Sequence, residues 1–224
     1  MVDALDKYDI HYIEAQDKKS RVAFFYDPRV IKLVDLLKME HLDYLGRVIY
    51  IFKSQRQFVK NFDDYEKGEY NSNGDDGIFN YRRYLVSVYK EQNLGTLGNL
   101  RAAILERLVY DFKRPKYMDN AWIEPFVYLR TKKEQSKKSI DVAAWNQNIK
   151  RGECVECAVS DNSVMNKTKK EEVRELQNIL YIISDKLSIH FVSFTMTEAL
   201  KRSVGLRSNI NLVGRDKLVS FLKP

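Results

Sequence analysis

The chain has 224 residues, 44% of them hydrophobic and 31% charged, which allows one large domain or two smaller ones and leaves enough apolar residues for a core. Its net charge of +7 favours a polyanionic partner, nucleic acid before membrane, and describes a lysine-rich soluble surface equally well. The single C-x-x-C (Cys154, Cys157) and three scattered histidines (His11, His41, His190) exclude a four-ligand zinc site, and Val155 and Val159 continue a strand through the pair where a redox motif would open a helix. Both cysteines therefore read as apolar filler. The N-terminus has no signal-peptide pattern and no apolar run reaches the roughly 18 residues of a membrane span, so a cytoplasmic protein without membrane contact is expected.

In chain order, residues 1–26 read as extended, with Tyr8, Ile10 and Tyr12 alternating before Val22–Tyr26. Asp27-Pro28 is a helix start, with Asp as cap and Pro in the first turn. One bent helix or two should follow to about residue 60. Residues 61–77, rich in Gly, Asn and Asp, form the best internal boundary. A helix is predicted over 80–92, a break at Gly95–Asn99 and a helix over 99–113 with Leu100, Ala103, Ile104, Leu108 and Phe112 on one stripe. Trp122–Leu129 reads as a strand in which Pro125 interrupts pairing. The basic turn Arg130–Lys138 leads into two adjacent strands, Ser139–Trp145 and Arg151–Ser160. Then come a helix over 169–186, a strand at Ile189–Phe194, a helix at Glu198–Val204, a strand at Asn211–Val213 and a last helix, Lys217–Leu222.

The chemistry concentrates in the two adjacent strands, each carrying an acid among apolar residues. Side chains two apart on a strand share a face, so Glu156 and Ala158 face the same way, and a hairpin lays Asp141 beside Glu156. Two carboxylates that close repel unless a cation lies between them. Oxygen ligands without His or Cys side chains suit Mg²⁺, or Mn²⁺ in its place, with the carbonyl oxygen of Cys157 as a third ligand. A cation so held would activate a water and neutralise a scissile phosphate, which is phosphodiester hydrolysis. Glu153 alternates away from Glu156 and reads as a solvated partner of Arg151.

These residues resemble the PD-(D/E)xK nuclease superfamily, the restriction-endonuclease-like proteins. Asp141 falls on the family's aspartate, Glu156 on its acid, and Ala158 where its lysine belongs; Glu106, on the predicted helix 99–113, matches the acid of the first core helix. The resemblance covers roughly residues 97–222. It implies an α/β fold, a mixed central sheet flanked by helices, preceded by a mainly helical N-terminal region. The expected division is 1–95, serving DNA recognition or dimerisation, and 96–224, the nuclease core. It implies a Mg²⁺-dependent DNA endonuclease of restriction or defence type, with Asp141, Glu156, Ala158 and Glu106 as the catalytic positions and DNA as partner. A homodimer would cut both strands.

Alanine at 158 departs from that pattern. In the family the lysine orients the water and stabilises charge at the phosphate, and alanine does neither. Three accounts stand open: a lysine replaced on purpose in an inactive variant, which the family-like string around it favours; a lysine moved to Lys150 or Lys169; or a naturally dead site, which leaves a non-catalytic DNA-binding or assembly subunit. Glu106 reads equally as a partner of Arg101 or Arg107. Phosphate contacts are expected from Lys132, Lys133, Lys137 and Lys138 in the basic turn, from Lys150, and from Lys169 and Lys170 at a helix start; each such charge run reads first as a solvated loop.

Overall fold

The computed structural model describes residues 10–14, 23–51, 76–91, 94–117, 120–129, 134–135, 139–146, 148–149, 151–159, 171, 174, 187–204 and 210–223. The chain is a mixed α/β protein in which a five-stranded sheet is flanked by helices and preceded by a helical region. In order the elements are β1 (Ile10–Glu14), α1 (Pro28–Asp35), a 3₁₀ turn (Met39–His41), α2 (Leu42–Ile51), α3 (Asp76–Lys90), α4 (Leu94–Lys116), β2 (Ala121–Ile123), β3 (Pro125–Leu129), β4 (Glu134–Gln135), β5 (Val142–Asn146), β6 (Arg151–Ala158), β7 (Leu187–Ser193), α5 (Thr197–Val204), β8 (Ile210–Val213) and α6 (Arg215–Leu222).

Local chemistry accounts for most boundaries. Asp27 caps α1, its carboxylate accepting from the Arg29 amide at 2.8 Å, with Pro28 at the first position. Two expectations fail nearby. Residues 23–25 are helical rather than extended, because Phe25 is drawn into the core. The chain does not break at Gly95–Asn99, and α4 begins at Leu94. Leu97 and Leu100 are buried there, and that burial outweighs the helix penalty of Gly98, which faces open space. Of the loop expected at 61–77, residues 61–75 lie outside the described residues, and Asp76 and Gly77 already belong to α3 rather than to a loop; most of the helix expected over 169–186 also lies outside them, though 171 and 174 are helical.

The large sheet has the order β2-β5-β6-β7-β8: β2, β5 and β6 pair antiparallel, and β7 and β8 continue parallel to β6. A smaller sheet, β1-β3-β4, pairs the N-terminal strand with β3. The predicted strand Trp122–Leu129 is thus two strands in two sheets. The chain switches between them at Glu124, whose φ of 49° is one a non-glycine residue adopts at a cost. One face of the large sheet, with Val142, Val155, Cys157 and Val192, packs into a hydrophobic cluster that also takes in α1, α2, α3, α4 and α6. That cluster runs unbroken across residue 95. Arg101 fastens the same junction, its buried guanidinium donating to the carbonyls of Ile49 and Tyr50 at 2.9 and 3.0 Å, at the C-terminal end of α2. Gly46 lets α2 approach the sheet: a Cβ there would stand 2.8 Å from the Phe194 ring.

Candidate functional site

The β5–β6 ladder pairs Val142 with Val155 and Ala143 with Cys154. Carried one residue further, that register sets Asp141 across from Glu156, so the two acids share a face. Ala158, two residues on from Glu156, shares it too. All three are buried, Asp141 at 2% exposure, Glu156 at 1% and Ala158 at 3%. Carboxylates so enclosed must be compensated. Part of the compensation is visible: Asp141 Oδ2 accepts the backbone N–H of Cys157 at 2.7 Å. Cys157 thus enters the site through its main chain, while its thiol turns to the opposite face and joins the core.

The corner lies at a particular end of the sheet. β6, β7 and β8 run parallel, and their carboxyl ends are Ala158, Ser193 and Val213; Ala158 stands beside Ser193. Asp141 precedes a strand antiparallel to β6 and so falls at the same end. Helices α5 and α6 both begin there, at Thr197 and Arg215. In open α/β sheets this is the end where ligands sit, and helix N-termini at it favour anions.

Glu106 is buried on α4, and the two arginines expected to pair with it are engaged elsewhere: Arg107 with Asp111 at 2.7 Å, Arg101 with the α2 carbonyls. Among the described residues no three His, Cys, Asp or Glu side chains gather in a group able to hold a metal ion, so Glu106 does not close with Asp141 and Glu156 into a three-carboxylate cluster. Lys132, Lys133, Lys137, Lys138, Lys150, Lys169 and Lys170 lie outside the described residues.

One buried acid goes unremarked in the sequence and another is misplaced by it. Glu124 is 2% exposed, and its N–H donates to the Asp141 carbonyl at 3.0 Å, which ties the strained switch between the sheets to the candidate corner. No local signal marks it: the residue before a proline favours extended backbone, and Glu124 departs from that with its φ of 49°. Glu153 corrects an explicit expectation: it is buried, not solvated beside Arg151. Its carboxylate lies 2.9 Å from Lys113 Nζ and 3.2 Å from Lys116 Nζ, accepts the Tyr117 hydroxyl at 2.5 Å, and stands 3.7 Å from His190 Nε2. Burial works to raise its pKa, and Lys113 above all, with His190 and Tyr117, reverses this and holds it down at about 2. Burial pushes the His190 imidazole down to about 4; Glu153 pulls it up, and Lys113 and Lys116 push it further down. This cluster occupies the face opposite Glu156, near the start of β6, and the shared sign of Lys113 and Lys116 made their common partner invisible in sequence.

No protein-family model and no curated protein matches the sequence. Two solved structures are similar over 99% of this chain: protein VC1899 from Vibrio cholerae, at 14% identity and a TM-score of 0.46, and Can2 from Sulfobacillus thermosulfidooxidans in complex with cyclic tetra-adenylate, at 11% and 0.44. The chain spans 59% of the first and 58% of the second.

Proposed function

We propose that the Asp141–Glu156 corner is the site of a metal-dependent DNA endonuclease of restriction or defence type, disabled in this chain by Ala158. The observation that supports the reading is that Asp141, one residue before β5, and Glu156 of β6 are both buried at the carboxyl end of the parallel strands, with Asp141 accepting the Cys157 N–H at 2.7 Å. The donor set fits Mg²⁺ better than zinc: two carboxylates and a main-chain carbonyl at Cys157, leaving the remaining positions to water, is how Mg²⁺ is usually held. When bound, the ion would supply charge neutralisation at the scissile phosphate and an acidified water. Asp141 would be fixed for that role by the Cys157 amide. At 158 the methyl group offers no ammonium to orient a water or to meet charge on the phosphate. Pairing of two copies for double-strand cleavage belongs to the same proposal.

Ala158 itself favours a second reading, a non-catalytic DNA-binding or assembly subunit on the same fold. Plasmid cleavage with Mg²⁺ or Mn²⁺ separates them, with this chain run beside Ala158→Lys and Ala158→Lys/Asp141→Asn. The nuclease reading expects cleavage from Ala158→Lys alone. Binding of DNA by all three without cleavage by any would establish the subunit instead.

A further inference from the structure

An open depression of about 480 Å³ lies at the β8 edge of the sheet, between α5 and α6, with His190 of β7 in its wall; neither Asp141 nor Glu156 lines it. Its size is that of a small-molecule site, roughly 300–1,000 Å³. Lys201 enters from α5 and Lys217 from α6, so two cations from separate helices flank one space. Neither is committed to a strong pair. Lys201 lies 3.4 Å from Glu198, but both are exposed, and such pairs exchange readily with water or ligand. Beside Lys217, the Asp216 carboxylate is already held by the amide and hydroxyl of Thr197 at 2.7 and 3.0 Å.

The other lining groups differ in kind. Asn211 offers an amide, and Ser220, whose hydroxyl donates to the Lys217 carbonyl at 2.8 Å, keeps its lone pairs. Phe221 supplies an aromatic surface, its ring centroid 4.8 Å from that of His190. Both His190 ring nitrogens are buried without a hydrogen bond, with Glu153 standing off at 3.7 Å from Nε2. His190 therefore meets the space through ring carbons, and the polar groups open to it are the Asn211 amide and the Ser220 hydroxyl. Cations at the rim with an aromatic ring, an amide and a hydroxyl between them match a ligand that is anionic at one end and planar and polar at the other. We propose that this depression binds a nucleoside monophosphate, its phosphate between Lys201 and Lys217 and its base against Phe221 within reach of the Asn211 amide. The site is separate from the proposed nuclease corner and does not depend on it.

Calorimetric titration of the full chain with each of the four ribonucleoside monophosphates tests this, beside adenosine, inorganic phosphate and a short single-stranded DNA. At least one monophosphate should bind about tenfold or more tightly than adenosine or phosphate alone. The double variant Lys201→Gln/Lys217→Gln, altered only at exposed side chains, should lose about tenfold or more of that affinity at an unchanged melting temperature. The His190 imidazole resonances, assigned with His190→Gln, should move on adding the nucleotide. Unaltered nucleotide binding by the double variant, no binding of any monophosphate, or binding of the DNA alone would each overturn the proposal.

Discussion

Tyr81 sits on α3 at 0% exposure, and its hydroxyl is buried without a hydrogen-bond partner. Burial pushes the phenol's pKa upward, so the group stays neutral. Tyr89, two turns along, differs because Arg101 reaches its hydroxyl. A buried, unmet hydroxyl costs about 1–3 kcal/mol relative to leaving it in water. Tyr81→Phe removes one oxygen and keeps the ring, so it should raise stability by about 1 kcal/mol and the melting temperature by a few degrees in a calorimetric scan. A lower melting temperature would mean that the hydroxyl is doing structural work. Side chains of this kind mark where packing has overridden polarity in the helical half.

At the scale of elements, the starts of α5 and α6 are locked into each other. Thr197 donates its amide and hydroxyl to Asp216, Gly214 donates its amide to the Thr197 hydroxyl at 2.9 Å, and the Arg215 amide donates to the Thr195 carbonyl at 2.8 Å. Gly214 has ordinary extended backbone angles, so close approach rather than backbone freedom requires it: a Cβ would fall 2.1 Å from the Thr197 nitrogen. Gly214→Ala should therefore cost about 2–4 kcal/mol in urea unfolding, and a loss below about 0.5 kcal/mol would show that the corner yields. Nothing at Gly214 in the sequence announces this, because its partners lie on a different helix. The same distinction runs through the chain. The facing of Asp141 and Glu156 was legible because strand alternation and a short hairpin are local rules. The cap at Asp27-Pro28 and the spacing of β7, α5, β8 and α6 were legible for that reason also. Helix α4 across Gly98 was not, since burial of Leu97 and Leu100 by distant helices decided it. Nor was Glu153, whose partners Lys113, Lys116, Tyr117 and His190 come from another helix end and another strand.

At the scale of the whole molecule, that ionic cluster joins the main structural layers. Lys113 of α4, 2% exposed, pairs with Glu153 of β6, donates to the Phe221 carbonyl of α6 at 2.8 Å and lies 3.6 Å from the centre of the Phe221 ring; His190 of β7 packs on the same ring. Acid attacks this junction through two groups in the same direction. Unfolded, His190 takes a proton near its ordinary 6.5; folded, burial delays this to about 4. Between those values the unfolded chain binds more protons, so stability present above pH 6.5 is lost as pH falls towards 4, on the order of 3 kcal/mol. Glu153 extends the loss downward: its ordinary 4.5 drops to about 2 in the fold, so its contribution is present above about pH 5 and disappears as pH falls towards 2. Urea midpoints measured from pH 8 to pH 3.5 should therefore fall continuously below about pH 6.5. His190→Gln should lower the plateau yet flatten the segment between about pH 6.5 and 4, leaving the lower one, which belongs to Glu153. An unchanged slope in that variant would place the acid-sensitive proton elsewhere in the chain.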